Sequence, residues 1–216
     1  MITRDGLIAE YLFNSKADDT SGNGFHGVVQ GATPTAERSG KPNSAYAFDG
    51  VDHYIVVAPP PKLIDTALTM SVWMRCDSTS AGEWFQWWHD RIICQDDGGD
   101  HDHARRIFQL SMLGNRIFWH RMMEVPDPFS IDPIESGAWY QVAAVFDNGP
   151  HKLYLNGVLN NSVRHRLAVH TQEPMYVGRK GTSEKRFYFK GAIDDIRICN
   201  RALGEADIQS LAFHLD

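Results

Sequence analysis

Cysteine is scarce in this chain: three residues in 216, Cys76, Cys94 and Cys199. An odd, widely spaced set with no Cys-x-x-Cys excludes a disulfide framework, a zinc knuckle and thioredoxin-type chemistry, and leaves room for one bridge at most. Long apolar runs are absent too, so nothing approaches the ~20 residues that a membrane-spanning helix needs. The opening Met1-Ile2-Thr3-Arg4-Asp5-Gly6 carries no apolar stretch of signal-peptide type. That leaves two compartments open: secreted or cell-surface if a leader was removed, cytoplasmic otherwise. Positive charge is in deficit, with 21 Lys and Arg against 27 Asp and Glu and a net charge of -6. Phosphate binding needs a basic face, so nucleic acid is excluded as the main partner. The one cationic cluster, Arg179-Lys180 with Lys185-Arg186, reads as a solvated loop. Catalytic signatures are also missing: there is no Gly-x-Ser-x-Gly, no His-Glu-x-x-His and no phosphate-binding glycine loop. Glu205-Ala206-Asp207 begins a Glu-x-Asp-x-x-Glu pattern, but Ser210 stands in the last position. These absences lean away from an enzyme without closing the question.

What is present is a succession of short alternating segments separated by Gly, Pro, Asn and Asp, the pattern of an all-β chain. Strands are expected over 7–13, 45–48, 54–57, 68–76, 106–112, 116–122, 141–146, 152–156, 175–178 and 187–198. Residues 45–48 and 54–57 read as a pair around Asp49-Gly50. In 68–76, Leu68, Met70, Val72, Met74 and Cys76 share one side, while Thr69, Ser71, Trp73 and Arg75 share the other. Cys76 is thereby a small core residue, and Cys199 is read as packing too. Residues 203–212 form the one credible helix, with Gly204 as N-cap and Leu203, Ile208 and Leu211 on the packing side. The expected architecture is all-β: a two-sheet antiparallel jelly-roll β-sandwich with one short C-terminal helix, forming a single domain over 1–216.

Two strings near the ends carry the most information. Gly191-Ala192-Ile193-Asp194-Asp195-Ile196-Arg197-Ile198-Cys199 is a strand with two adjacent acids. Regular alternation puts Asp194 on the buried side with Ile196 and Ile198, where a carboxylate needs a partner; Asp195 then faces outward, beside Arg197. At the other end, Asp18-Asp19-Thr20-Ser21-Gly22-Asn23-Gly24 is a turn-rich loop offering hard oxygen ligands, with no Glu at the offset an EF-hand loop requires. Before that loop stands Gly6-Leu7-Ile8-Ala9-Glu10-Tyr11-Leu12-Phe13, and between the two strings stand Ala47-Phe48-Asp49-Gly50 followed by Tyr54-Ile55-Val56-Val57, then Leu68-Thr69-Met70-Ser71-Val72-Trp73-Met74, Trp139-Tyr140-Gln141-Val142-Ala143-Ala144-Val145-Phe146-Asp147 and Leu153-Tyr154-Leu155-Asn156-Gly157. In this order the pieces resemble the laminin-G-like, pentraxin-like members of the concanavalin A-like lectin/glucanase superfamily, especially bacterial single modules. The resemblance implies one structural calcium (Ca2+) where the N-terminal loop meets the last strand. Asp19 and Asp194 are the expected side-chain ligands, with carbonyls near Asn23 and Gly24.

The stretch 77–109 departs from that pattern and resembles an elaborated loop. It holds three of the six tryptophans, in Glu83-Trp84-Phe85-Gln86-Trp87-Trp88-His89-Asp90, followed by Gln95-Asp96-Asp97-Gly98-Gly99-Asp100-His101-Asp102-His103. Aromatic faces cover the C–H side of a sugar ring, and His or Asp side chains bond its hydroxyls, so the segment is a candidate glycan platform. The expected function is a lectin-like carbohydrate-binding module whose partner is a glycan or polysaccharide. Trp84, Trp88, His89, Asp100, His101 and His103 are the loop candidates; Trp73, Gln109, Trp119 and Arg121 are the sheet-face candidates, chosen by parity. Two alternatives stand beside it. One is a polysaccharide-active glycosidase or lyase using residues such as His103, Tyr188 and Arg121; the other is a protein-binding adhesion or assembly module. The remaining histidines, His151 among them, are expected at the surface.

Overall fold

The computed structural model describes residues 4–63, 67–77, 91–95, 108–120, 129–164, 173–181 and 187–213. Along the chain run β1 (Leu7–Tyr11), β2 (Gly27–Gln30), β3 (Thr33–Thr35), β4 (Ala45–Asp49), β5 (Tyr54–Val57), β6 (Leu68–Cys76) and β7 (Arg91–Gln95). They are followed by β8 (Phe108–Leu113), β9 (Arg116–His120), β10 (Trp139–Phe146), β11 (Pro150–Leu155), β12 (Val158–Arg164), β13 (Met175–Val177) and β14 (Lys190–Cys199). The helix α1 (Glu205–Phe213) closes the order. Eight strands form one antiparallel sheet in the order β12-β11-β10-β6-β14-β4-β3, with β1 also on β14; six form the other, β2-β5-β13-β7-β8-β9. This is the expected two-sheet sandwich with its short C-terminal helix.

The core lies between the sheets. Leu68, Met70, Val72, Met74 and Cys76 of β6 all enter it, as do Ile55, Val57, Met175, Val177, Leu110 and Met112 from the facing sheet. A strand interior that alternates this cleanly fixes register, since a one-residue slip would turn every core side chain outward. The three cysteines are buried and none is in a disulfide. On the far side of the large sheet a smaller cluster, including Ala143, Val145, Tyr154 and Cys199, receives Leu203, Ile208 and Leu211 from α1 and its approach. Thr69 fixes that approach: its Oγ1 accepts the Leu203 N–H at 2.8 Å and donates to the Arg201 carbonyl at 2.8 Å.

Three expectations need correction. β4 and β5 flank Asp49-Gly50 but belong to opposite sheets, so the turn is a crossing between layers and not a hairpin. His151 is buried, with its ring edge-on to Phe146 at 4.8 Å. Arg179 and Lys180 are buried as well, so this part of the cationic cluster is no solvated loop.

Candidate functional site

The last strand changes neighbours halfway along. Its first half, Lys190 to Ile193, pairs with β4, and its second half, from Ile196, pairs with β1, while β6 runs along the other edge. Opposite β6 the register passes from Asp194↔Trp73 to Arg197↔Ser71, so β14 carries one residue more than β6 between those pairs. That residue is Asp195, held at φ 44. It is a β-bulge with the inserted residue in the left-handed region, where Asp is better tolerated than most side chains. The bulge overturns the parity reading. Ile193, Ile196 and Ile198 point into the core, whereas Asp194 sits across from Trp73 on the outer side of the sheet.

Both acids are nonetheless buried, and Asp195 does not face solvent beside Arg197. They meet Arg38, whose Nη1 lies 3.0 Å from Asp194 Oδ2 and 2.9 Å from Asp195 Oδ2. The guanidinium also stacks on Trp73, 4.5 Å from the ring centroid. Glu37 approaches the same Nη1 at 3.8 Å. Burial opposes the Glu37 charge, but hydrogen bonds from Ser39 and Lys41 outweigh it and hold the carboxyl below its usual range. With Leu12, Asn14 and Ser44, these groups line a small open depression.

Burial, then the adjacent Asp195 carboxylate, push Asp194 from an ordinary 3.8 up to about 8, against the pull of Arg38. Between those values the folded chain keeps a proton that the unfolded chain has released. Stability from this group is full below the unfolded value and declines as pH rises toward the folded one. Melting temperature is therefore expected to fall between about pH 5 and pH 8, and Asp194→Asn should flatten the slope. Parallel slopes for the two proteins would contradict the assignment.

The N-terminal loop does meet the last strand, but through other residues. Glu10 of β1 pairs with Arg197 at 3.0 Å and accepts from Thr20 and Arg4 at 2.7 and 3.1 Å. Burial opposes its charge, and these three donors more than offset that, lowering the carboxyl. Asp19 organises the loop: Oδ1 accepts the N–H of Glu10 and of Ser21, and Oδ2 accepts the Ser21 hydroxyl and the Phe25 N–H. Asn23 turns its amide onto the Ile8 carbonyl at 3.1 Å and the Ser21 hydroxyl at 3.2 Å, and Gly24 supplies a positive φ.

This arrangement does not fit the expected calcium shell. Two carboxylate oxygens offer about four lone-pair sites, and the four donors on Asp19 take them all. Asp194 gives one oxygen to Arg38 and the other to the Asp195 N–H at 2.7 Å. Calcium takes six to eight oxygen ligands; Asp19 has no lone-pair site to spare, and Asp194 already faces the guanidinium charge of Arg38. Among the described residues the one group with metal-ligand spacing is elsewhere: Asp49, Asp52 and His53, whose ligand atoms lie within 4.8 Å of one another. Turn closure accounts for it, because Asp49 Oδ1 accepts the N–H of Val51, Asp52 and His53.

The outer face of the six-stranded sheet carries a second constellation. Register sets Val56, Tyr176, Cys94 and Gln109 in one row across it. Tyr54, one residue before the core-facing Ile55, lies beside that row with its ring 6.1 Å from Tyr176 and 6.5 Å from Tyr188. Arg179 packs against both Tyr54 and Tyr176, at 4.7 and 4.5 Å from their centroids. Its guanidinium donates to the carbonyls of Lys180 and Gly181. So held, Arg179 braces two tyrosine rings, a contact worth about 0.5–2 kcal/mol for each ring. Tyr54 and Tyr188 are half-buried.

The parity-chosen sheet candidates do not all share this face. Gln109 lies on it and is buried. Trp119 points the other way, fully buried in the core and stacked on Phe108 at 6.1 Å. Trp73 belongs to the outer face of the opposite sheet, against Arg38. Parity within a strand gives sides but not which sheet the strand joins. Trp84, Trp88, His89, Asp100, His101, His103 and Arg121 lie outside the described residues. No sequence reading pointed to Arg38, Tyr54 or Tyr176; the signal for Tyr54 was its place just before a core isoleucine.

Two stacked antiparallel sheets, with polar and aromatic groups on their outer faces, define a lectin-type β-sandwich. The sequence pattern of a laminin-G-type family, described as Concanavalin A-like lectin/glucanases superfamily, matches residues 49–209, and the chain belongs to that superfamily. No curated protein matches it. Among solved structures it is similar to domain 4 of AbnA, an extracellular arabinanase from Geobacillus stearothermophilus, in complex with arabinotriose. There the identity is 22%, the TM-score 0.69, and the coverage 95% of this chain and 98% of that one. It is also similar to the binding domain of Paraclostridial Mosquitocidal Protein 1, at 16% identity and TM-score 0.75, over 97% of this chain and 52% of that one. A third is the botulinum neurotoxin serotype D ligand binding domain in complex with N-acetylneuraminic acid, at 17% identity and TM-score 0.69, over 97% and 51%. The chain thus spans about half the length of the toxin domains and nearly all of the arabinanase domain. At these identities the likeness is one of fold.

Proposed function

We propose that the protein is a carbohydrate-binding module whose glycan rests on the outer face of the six-stranded sheet, over β5 and β13. The observation that carries this is the tyrosine cluster: Tyr54 and Tyr188 are half-buried with their rings 6.5 Å apart, and a buried Arg179 packs against Tyr54 and against Tyr176 beside it. Partly exposed aromatic rings suit the C–H side of a sugar, and phenolic hydroxyls suit its edge. Support comes also from neighbours of the same fold solved with arabinotriose and with N-acetylneuraminic acid. Calcium has no part in this reading, which asks only for preformed rings and polar edges.

The test is binding to a broad panel of plant, algal, microbial and animal glycans, followed by titration of the best ligand. Tyr54→Ala and Tyr188→Ala should each weaken binding about tenfold, the effect of roughly 1.4 kcal/mol, with little change in melting temperature. Trp84→Ala, Trp88→Ala, His89→Ala, Asp100→Ala, His101→Ala and His103→Ala measure in the same assay what the tryptophan- and histidine-rich segment adds. Trp73→Phe, on the opposite sheet, should leave affinity unchanged. A blank panel, or full affinity in both tyrosine variants, would sink the proposal.

A further inference from the structure

The Arg38 guanidinium occupies the place where a cation would neutralise the two acids at the end of β14. Its side chain is 8% exposed, with Asp194 and Asp195 at 3% and 5%. One nitrogen reaches both carboxylates, at 3.0 and 2.9 Å, while the plane of the group lies on Trp73. Each feature serves a fixed cation. The bulge at Asp195 brings the second acid to the side of the first, the break between β4 and β1 leaves room for an arginine to enter, and the indole covers one of its faces. Glu37 stands behind, its charge already held by Ser39 and Lys41.

We propose that Arg38 is the resident cation of this acid pair, so that the fold meets the charge of its last strand with a side chain and its stability does not depend on Ca2+. The oxygens that a metal would need accept hydrogen bonds from the protein itself: those of Asp194 from Arg38 and the Asp195 N–H, those of Asp19 from four donors. Removing the guanidinium leaves the negative charge of the acid pair where water cannot screen it. Removing one carboxylate as well restores much of the balance. The coupling is between charges and is therefore separable from the packing that Arg38 provides.

Thermal unfolding of the full chain tests this. The unaltered protein should melt at one temperature in EDTA and in millimolar CaCl2, and calorimetric titration with Ca2+ should show no binding heat. Arg38→Met should lower the melting temperature by on the order of 10 °C, and Arg38→Met with Asp195→Asn should recover at least half of the loss. If the single variant fails to fold, recovery of folded protein in the double variant supports the proposal equally well, and failure of both overturns it. A rise in melting temperature of the unaltered protein on adding Ca2+ would overturn it, as would an Arg38→Met protein as stable as its parent. So would a double variant no better than the single one.

Discussion

Alanine at Gly191 is expected to prevent folding or to leave a protein melting at least ~10 °C lower. Gly191 opens the final strand at φ +153, paired with Phe48 of β4 on one side and Cys76 of β6 on the other. A Cβ there would stand 2.0 Å from the Arg75 carbonyl oxygen and 3.0 Å from the Phe189 ring. A rotamer change can displace the ring, but a main-chain carbonyl inside a ladder has nowhere to go. Relief would require β14 to part from β6, the most extensive strand contact in the large sheet and the one that aligns Ile193, Ile196 and Ile198 with the core. The expected cost exceeds about 4 kcal/mol. Gly204, where an added Cβ meets nothing, serves as the control and should cost no more than about 1 kcal/mol as alanine. Far-ultraviolet circular dichroism and a thermal melt check both.

Arg197→Met is expected to be the next most damaging change, at about 3–5 kcal/mol. Arg197 and Glu10 are each 6% exposed at the side chain and meet at 3.0 Å. Without its partner Glu10 keeps Thr20 and the more exposed Arg4, so the loss should fall in the lower half of that range. Damage would also spread. The Glu10 N–H donates to Asp19 and the Glu10 carbonyl accepts the Thr20 N–H at 2.8 Å, so the start of the 18–25 loop is tied to this residue. Urea unfolding should show the loss, and Glu10→Gln with Arg197→Met should regain part of it. Additive losses from the two changes would mean that the pair is not a unit.

How far the sequence discloses the molecule differs from element to element. β6 is legible because it alternates over nine residues, and β10 because Val142 to Phe146 is an unbroken apolar run; the two pair without interruption from Leu68↔Phe146 to Arg75↔Trp139. β12 escapes a reading by periodicity: its interior, Asn160-Asn161-Ser162, is polar because it is the edge of its sheet. Asn156-Gly157, both at positive φ, was the available signal, since Asn-Gly is a strong hairpin turn. β2 and β3 are short edge strands whose pattern is too brief to register. The candidate site is harder to read for a different reason. Asp194 was visible as an acid needing a partner, but alternation cannot foresee an inserted residue, and Arg38 lies 156 positions away. Likewise Tyr54 and Tyr188 come together only through the fold, with Arg179 arriving from the segment after β13. The chemistry of single residues is written locally; which of them meet is decided by sheet order.

The central claim is that a glycan rests on the tyrosine-bearing outer face of the six-stranded sheet. The most direct measurement is a crystal structure of the protein soaked with the best ligand from the glycan panel. The account predicts a sugar ring lying against Tyr54 or Tyr188, with the Arg38, Asp194 and Asp195 cluster untouched. A ligand bound over Trp73 on the eight-stranded sheet, or one making no contact with either tyrosine, would contradict it.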